Sequence, residues 1–392
     1  MRISRLNLNI IQDSRGEDTL EATVFSREIS VVASVPAGKS KGKFETTSIA
    51  PNVALQKLEK IKREILNVNF SSVLEFDNLL KKLDGLPDKS NLGGNLILVL
   101  SIGFTKLFAK SQNLQTYQLI SQILGKKADK FPYLFFNLIG GGLHAKDSLP
   151  FQEYILVTKF ASPAKGLEYA KLAVEKLRGD IKKNLGVVRF GDEGAFAINS
   201  HDPKLGLEVL SRNLADLNIS FALDAAASSF YESNGYRIGE NIYSKNQMIK
   251  LYQDLAEEFQ LLSIEDPFSE NDGAGFTRLN QKMKNKIWII GDDLTVTNQK
   301  FIQKAHDKME ITGVVIKPNQ IGSVSETLSA VKLAQSFGWK IIVSHRSGET
   351  HDDFIADLAF GVGADGLKSG SPTQPQRLTK YNRLVEIEKS LL

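Results

Sequence analysis

Two hydrophobic rhythms divide the chain. Apolar and polar positions alternate over residues 3–11, 19–26 and 29–35, the period of strands with one buried face. The period then lengthens to helical spacing over 53–66 and 94–109, where Leu96, Val99, Leu100 and Phe104 form a stripe suited to core packing. Strands first and helices afterwards predict a small α+β domain over residues 1–127.

From about Lys130 short apolar runs recur, each ending in a polar or charged cluster and followed by a helix-like segment. They are LFFNLIGGG, FQEYILV, GVVRFGDEG, ISFALDAA, QLLSIEDP, IWIIGDDL, GVVIKPNQ, KIIVSHRSGE and ADGLKSG. Asp224, Glu265, Asp292, Lys317, His345 and Lys368 follow one another at 41, 27, 25, 28 and 23 residues, spacings that fit repeated strand-plus-helix units. Apolar strands with polar C-terminal ends predict a TIM-like α/β barrel over residues 128–392, with its chemistry at one mouth. A doubly wound open sheet has similar strands, and the number of polar strand ends favours the barrel.

Composition narrows the classes. The 392 residues are 42% hydrophobic and 24% charged, as in a soluble globular protein. The net charge of +4 is small beside 49 basic and 45 acidic residues, and the lysine runs are short and scattered, so no nucleic-acid partner is implied. Without cysteine there are no disulfides, thiolate metal sites or thiol nucleophiles, in keeping with a reducing cytoplasm. The N-terminal segment lacks the apolar core of a signal peptide, and the most apolar stretch, 96–104, is too short to span a bilayer. A cytoplasmic protein away from membranes is expected.

Three acids, Asp224, Glu265 and Asp292, end consecutive predicted strands. One such acid reads as a helix cap or ion-pair partner, but barrel closure would bring all three together. Converging carboxylates repel unless a cation neutralises them, and hard oxygen ligands without Cys or His favour Mg²⁺ over zinc. Lys317 and Lys368 end later strands. A lysine close to a metal ion and a second lysine is expected to have a lowered pKa, as a base requires. Arg346 and Ser347 have donors suited to a phosphate. Glu153 and Glu193 are either ordinary ion-pair partners or, if they face each other, an acid pair that keeps a proton.

Together these residues resemble the enolase family over nearly the whole chain. DSRG (13–16), VPAGKSKG (35–42) and LGGN (92–95) are similar to its small-domain signatures. NLIGGGLHA, FQEY, GDEGAFA, ALDAAASSFY, SIEDPF, GDDLTVTN, IKPNQIG, SHRSGET and LKSGSP match its second domain in order. The resemblance implies a Mg²⁺-dependent dehydration of 2-phosphoglycerate to phosphoenolpyruvate. It implies Asp224, Glu265 and Asp292 as ligands of the first Mg²⁺, and Ser40 as a ligand of a second ion bound with substrate. Lys317 is then the base, Glu193 assisted by Glu153 the acid, and Lys368 the partner of the substrate carboxylate. Arg346 and Ser347 are expected to hold the phosphate, while His144, Gln152 and His345 line the site. The family also implies a homodimer or larger homo-oligomer.

The sequence departs from the family pattern in places. It has AGKSK for the usual SGAST, Ala195 within GDEGAF, and Ser229 where a glutamate is usual. Three rival readings follow from the same residues. Residues 33–40 nearly form the phosphate loop of an NTPase, a motif that must open directly into a helix. Another metal-dependent lyase or racemase would act on a sugar acid. A non-catalytic scaffold would keep the fold alone.

Overall fold

The alternating N-terminal pattern forms an antiparallel meander of β1 (Arg5–Gln12), β2 (Asp18–Ser26) and β3 (Ile29–Ser34). In this computed structural model the described residues are 1–39, 42–66, 68–145, 148–186, 188–232, 235–283 and 286–392. Four helices follow: α1 (Pro51–Leu66), α2 (Val73–Asp84), α3 (Gly94–Ser111) and α4 (Thr116–Leu124). Leu20, Ala22 and Val24 of β2 are buried on one face, and α3 packs on β2 and β3. Gly103 permits this close approach, because a Cβ there would stand 2.6 Å from Val24 Cγ2. Residues 96–105 of α3 are buried without a break, as expected of a helix segment that is apolar on all sides. The hydrophobic pattern alone does not announce α2 or α4. Ser72 caps α2 by accepting from the Glu75 amide, and Gly85 ends it in the left-handed conformation.

The rest of the chain builds a closed barrel. Its elements are β4 (Tyr133–Gly140), β5 (Glu153–Thr158), α5 (Pro163–Leu185), the hairpin β6 (Arg189–Phe190) and β7 (Phe196–Ala197), α6 (Leu205–Asn213) and β8 (Ile219–Asp224). A small sheet of β9 (Tyr231–Glu232), β10 (Gly235–Ile238) and β11 (Asn241–Tyr243) precedes α7 (Lys245–Phe259), β12 (Leu261–Glu265), α8 (Gly273–Met283) and β13 (Trp288–Gly291). Then come α9 (Gln299–Asp307), β14 (Gly313–Ile316), α10 (Pro318–Ile321) and α11 (Val324–Ser336). The chain ends with β15 (Lys340–Ser344), α12 (Phe354–Gly361), β16 (Gly366–Lys368) and α13 (Pro375–Leu391).

Strands β4, β5, β8, β12, β13, β14, β15 and β16 pair in that order, and β16 pairs back to β4. The barrel interior is filled by Phe135, Ile155, Val157, Ala222, Ile290, Val315 and Ile342. A larger core lies between strands and helices and continues into the N-terminal layer. Each buried Ile, Val or Phe contributes roughly 1.5–3 kcal/mol. The interior is a packed plug, which confines chemistry to the barrel mouth.

Two expectations about the strands need correction. FQEYILV does not end in its acid: β5 starts at Glu153 and runs antiparallel to both β4 and β8. The reversal puts the start of β5 at the same mouth as the ends of its neighbours. GVVRFGDEG is not a barrel strand. Its residues 189–194 supply β6 and the turn of the short β6–β7 hairpin, with Glu193 in that turn, and β7 attaches the hairpin to β4. The next helix after β3 begins only at Pro51, so the described part of the 33–40 segment does not open into the helix that a phosphate loop requires. Among the described residues, no helix is long and apolar enough to cross a membrane.

Candidate active site

Strand register sets the first row of the site. Glu153, Asp224 and Glu265 stand opposite one another on β5, β8 and β12. Asp292 follows β13, Lys317 follows β14, His345 follows β15 and Lys368 ends β16. A cavity of about 300 Å³ at this mouth is lined by His144, Gln152, Glu153, Glu193, Asp224, Asp292, Lys317, His345, Arg346, Ser347 and Lys368. Glu265 lies behind Lys368 and bonds to it. Ser40, the remaining expected ligand, lies outside the described residues.

The Lys368 amine is the hub of the acid row. It stands 2.7 Å from Glu265 Oε2, 3.1 Å from Glu153 Oε2 and 3.4 Å from Asp224 Oδ2. Lys317 pairs with Asp292, whose other oxygen accepts from Gln320 Nε2 at 2.9 Å. The expected fall in the Lys317 pKa supposes a bound metal ion, and the protein's own groups by themselves act the other way. Burial pushes it down, but the Asp292 carboxylate outweighs burial and holds it above the ordinary lysine value. Burial also opposes the charge on Lys368, and Glu153, Glu265 and Asp224 raise its pKa well above that value. At each lysine the facing carboxylates outweigh burial and the neighbouring cations.

The carboxylates respond in opposite directions. Burial, reinforced by Asp224, drives Glu265 well above the usual carboxylate range despite Lys368. Glu265 Oε1 is buried without a hydrogen-bond partner. A buried, electron-rich oxygen left unpaired among acids suits a hard divalent cation, so this donor set fits a divalent metal. Among the described residues, the groups whose ligand atoms lie within 4.8 Å of one another are Asp266–Asp292–Asp293 and His144–Glu153–Glu193. Asp224, Glu265 and Asp292 are not one of these groups; Lys368 pairs with the first two and Lys317 with the third.

Asp266 adopts a positive φ of 41°, a conformation that Asp tolerates better than most residues. It accepts the amides of Asp292 at 2.9 Å and Asp293 at 2.8 Å and so orients the loop after β13. Burial and the nearby Asp292 raise Asp293 to about 7.

The second acid pair splits. Burial, with Glu193 and Asp224 nearby, holds Glu153 well above the usual range even though Lys368 opposes it. Burial also presses Glu193 upward, but His345, His144 and Arg377 outweigh it and hold Glu193 well below that range. Asn137 Nδ2 donates to Glu193 Oε2 at 3.1 Å. A proton shared by the pair therefore rests on Glu153. His144 Nδ1 lies 3.9 Å from Glu153 and 3.6 Å from Glu193, and burial lowers its pKa although Glu193 and Asp224 favour the imidazolium.

Arg346 and Ser347 form the opposite wall. Glu45 grips Arg346 with two 3.0 Å bonds, and Asn319 Oδ1 accepts from Nη1 at 2.9 Å. Ser347 Oγ accepts from the Lys39 amide at 2.7 Å and from Arg15 Nη1 at 3.2 Å, so its own hydrogen is left to donate elsewhere. Ala37 and Gly348 exchange backbone hydrogen bonds of 2.9 Å that tie the 35–39 loop to this wall. The Lys39 side chain reaches across to Asp192 at 2.8 Å. Gln152 Nε2 donates to Asp224 Oδ2 at 3.2 Å.

Sequence reasoning missed Glu45, Asp266, Asp293 and Arg377. The doubled acids in IEDP and GDDL signalled Asp266 and Asp293, since each adjoins a chosen residue. Nothing local marked Glu45 or Arg377, whose importance arises from contacts far along the chain.

Comparison with known proteins agrees with this arrangement. The family described as "Enolase, N-terminal domain" matches residues 3–120, and "Enolase, C-terminal TIM barrel domain" matches residues 129–392. A protein named Enolase from Sulfurisphaera tokodaii is 36% identical, over 99% of this chain and 95% of its own. Those of Pelagibacter ubique and Mastigamoeba balamuthi are 35% and 34% identical, covering 100% and 97% of this chain and 97% and 94% of theirs. An active site that requires a divalent metal accompanies this likeness. The chain belongs to the enolase family.

Proposed function

We propose that this chain is a hydro-lyase that reversibly dehydrates 2-phospho-D-glycerate to phosphoenolpyruvate, a step of glycolysis and gluconeogenesis. One observation carries the reading: a single cavity gathers carboxylates, two lysines, a split acid pair and an Arg–Ser wall. Asp224, Glu265 and Asp292 would hold one Mg²⁺, and Ser40 would help hold a second when substrate binds. When bound, the ions supply positive charge where negative charge develops on the substrate carboxylate.

The chain's own residues do the rest. Arg346 and the Ser347 hydroxyl hold the phosphate, and Lys368 pairs with the carboxylate. Lys317 Nζ takes the proton from C2, which requires that the Asp292 charge be compensated so that the amine can lose its proton. The electrons of the C2–H bond are held first as added negative charge on the substrate carboxylate, and in a second step they form the C2=C3 double bond as the C3–O bond breaks. The pair Glu193 and Glu153 protonates the departing hydroxyl, which leaves as water. His144, Gln152 and His345 line the pocket and fix the geometry of the acids.

Residues 1–127 then cap the catalytic barrel of residues 128–392. A cytoplasmic homodimer or larger homo-oligomer belongs to the same reading by family likeness. Substrate choice provides the test. Purified protein with Mg²⁺ is offered 2-phosphoglycerate and, separately, unphosphorylated sugar acids. Turnover of the phosphorylated compound alone supports the reading, and turnover of a sugar acid alone overturns it.

A further inference from the structure

Helix α13 carries two buried cations three residues apart, and both reach the loop after β15. Arg377 is completely buried. Its Nη1 donates to His345 Nδ1 and, at 2.7 Å, to the Arg346 carbonyl. Its Nη2 donates to the Ser347 carbonyl at 2.7 Å, and its Nε to Gln374 Oε1 at 3.2 Å. Lys380 pairs with Glu349 at 2.8 Å and donates to the Thr350 carbonyl.

A guanidinium has only donors and stays charged inside proteins. The imidazole nitrogen facing it must therefore present a lone pair. His345 Nδ1 thus carries no hydrogen, and the single hydrogen of the neutral ring sits on Nε2. That Nε2 lies 3.4 Å from Glu193 Oε2.

We propose that Arg377 is a positioning residue that locks His345 as the neutral Nε2–H tautomer, aimed at Glu193, and anchors the Arg346–Ser347 wall from beneath. The proposal rests on the reading of Glu193 as part of the acid pair. Its consequence is that the Glu193 carboxylate always meets a hydrogen-bond donor at His345, never a lone pair that would repel it. The groups facing His345 reinforce the lock. Burial opposes the imidazolium and Glu193 favours it, while Arg377, Lys368 and Lys317 all oppose it, so the ring is held well below its ordinary pKa. The two bonds to the Arg346 and Ser347 carbonyls also fix the backbone from which these side chains project. One side chain thus couples the acid end of the pocket to its anion-binding end.

Imidazole nitrogen resonances of the full-length protein test this directly. The chain has five histidines, and His345→Asn identifies the relevant signals. With ¹⁵N-labelled histidine, His345 Nδ1 should resonate as an unprotonated nitrogen and Nε2 as a protonated one, unchanged from about pH 5 to about pH 8. In Arg377→Met, His345 should mix tautomers or take up a proton at a higher pH than in the wild type. The pH profile of kcat should gain a limb where that proton is taken up. We expect kcat to fall at least about tenfold, with a rise in KM from the loosened Arg346–Ser347 wall. Lys380→Met removes the neighbouring anchor without touching His345, so its spectrum should retain the wild-type His345 signals. A hydrogen on Nδ1 in the wild type, or a His345 spectrum unaltered by Arg377→Met, would overturn the proposal. If Arg377→Met does not fold, the wild-type spectrum alone decides. These spectra need no substrate, so a failure here is distinguishable from a failure of the dehydratase reading.

Discussion

Lys317 and Asp292 form an ion pair at the barrel mouth, so the expected base and an expected metal ligand hold each other's charge. Asp292 overrides burial and keeps Lys317 protonated. Mg²⁺ engagement of Asp292 removes that support. Binding of Mg²⁺ near pH 8 should therefore release more protons from the wild type than from Lys317→Met. Calorimetry in buffers of different ionisation enthalpy measures the difference. Equal release would separate Lys317 from the metal site.

Glu193 and the C2 proton belong to different halves of the reaction. Glu193→Gln should slow dehydration at least about 100-fold, the scale of a lost general acid. Exchange of the C2 proton with deuterated solvent should continue, because Lys317 and the metal ligands are untouched. Mass spectrometry of recovered substrate provides the readout. Loss of exchange in parallel with dehydration would place Glu193 in proton abstraction instead.

Glu45 occupies the guanidinium that a phosphate needs. Its two 3.0 Å bonds to Arg346 make it a direct competitor of an incoming anion. Glu45→Gln should tighten binding of inorganic phosphate by about three- to tenfold, a shift of about 1 kcal/mol. Calorimetric titration checks this. Weaker binding would show that Glu45 orients Arg346 rather than competing for it.

Asp77 lies far from the site, on α2 against the start of α11, and predicts a pH dependence of stability. Burial raises its carboxyl from 3.8 to about 6, although the Ser325 amide donates to Oδ2 at 2.8 Å. Its Oδ1 has no partner. The folded pKa lies above the unfolded one, so this carboxyl destabilises the fold as pH rises from about 4 to about 6. The penalty is fully present above that window, at about 3 kcal/mol. Asp77→Asn should flatten this part of the stability curve, as followed by urea denaturation at several pH values. An unchanged slope would contradict the assignment.

Much of this molecule was legible from its sequence, for identifiable reasons. Apolar strands ending in Asp224, Glu265, Asp292, Lys317 and Lys368 gave the barrel mouth, because strand ends and chemistry coincide in such folds. The direction of β5 was not legible. Glu153 looks alike at the end of a parallel strand or the start of an antiparallel one, and only pairing with Asp224 decides. Helix α2 carried readable signals in Ser72, Glu75 and Gly85, but it is too short to stand out by periodicity. The charge balance at Lys317 was not legible either. Sequence named its neighbours without distances, and the sign of its pKa shift depends on which charge lies closest. Arg377 was invisible for a similar reason: its role is defined by carbonyls and a ring about thirty residues away, at positions 345–347.

The most direct test follows the ultraviolet absorbance of phosphoenolpyruvate formed from 2-phosphoglycerate. Three samples suffice: wild type with Mg²⁺, Lys317→Ala with Mg²⁺, and EDTA-treated wild type. Absorbance should rise in the first alone, with the variant slower by at least about 100-fold and the chelated sample recovering when Mg²⁺ is restored. Equal rates in the wild type and either other sample would contradict the assignment of a metal-dependent lysine base.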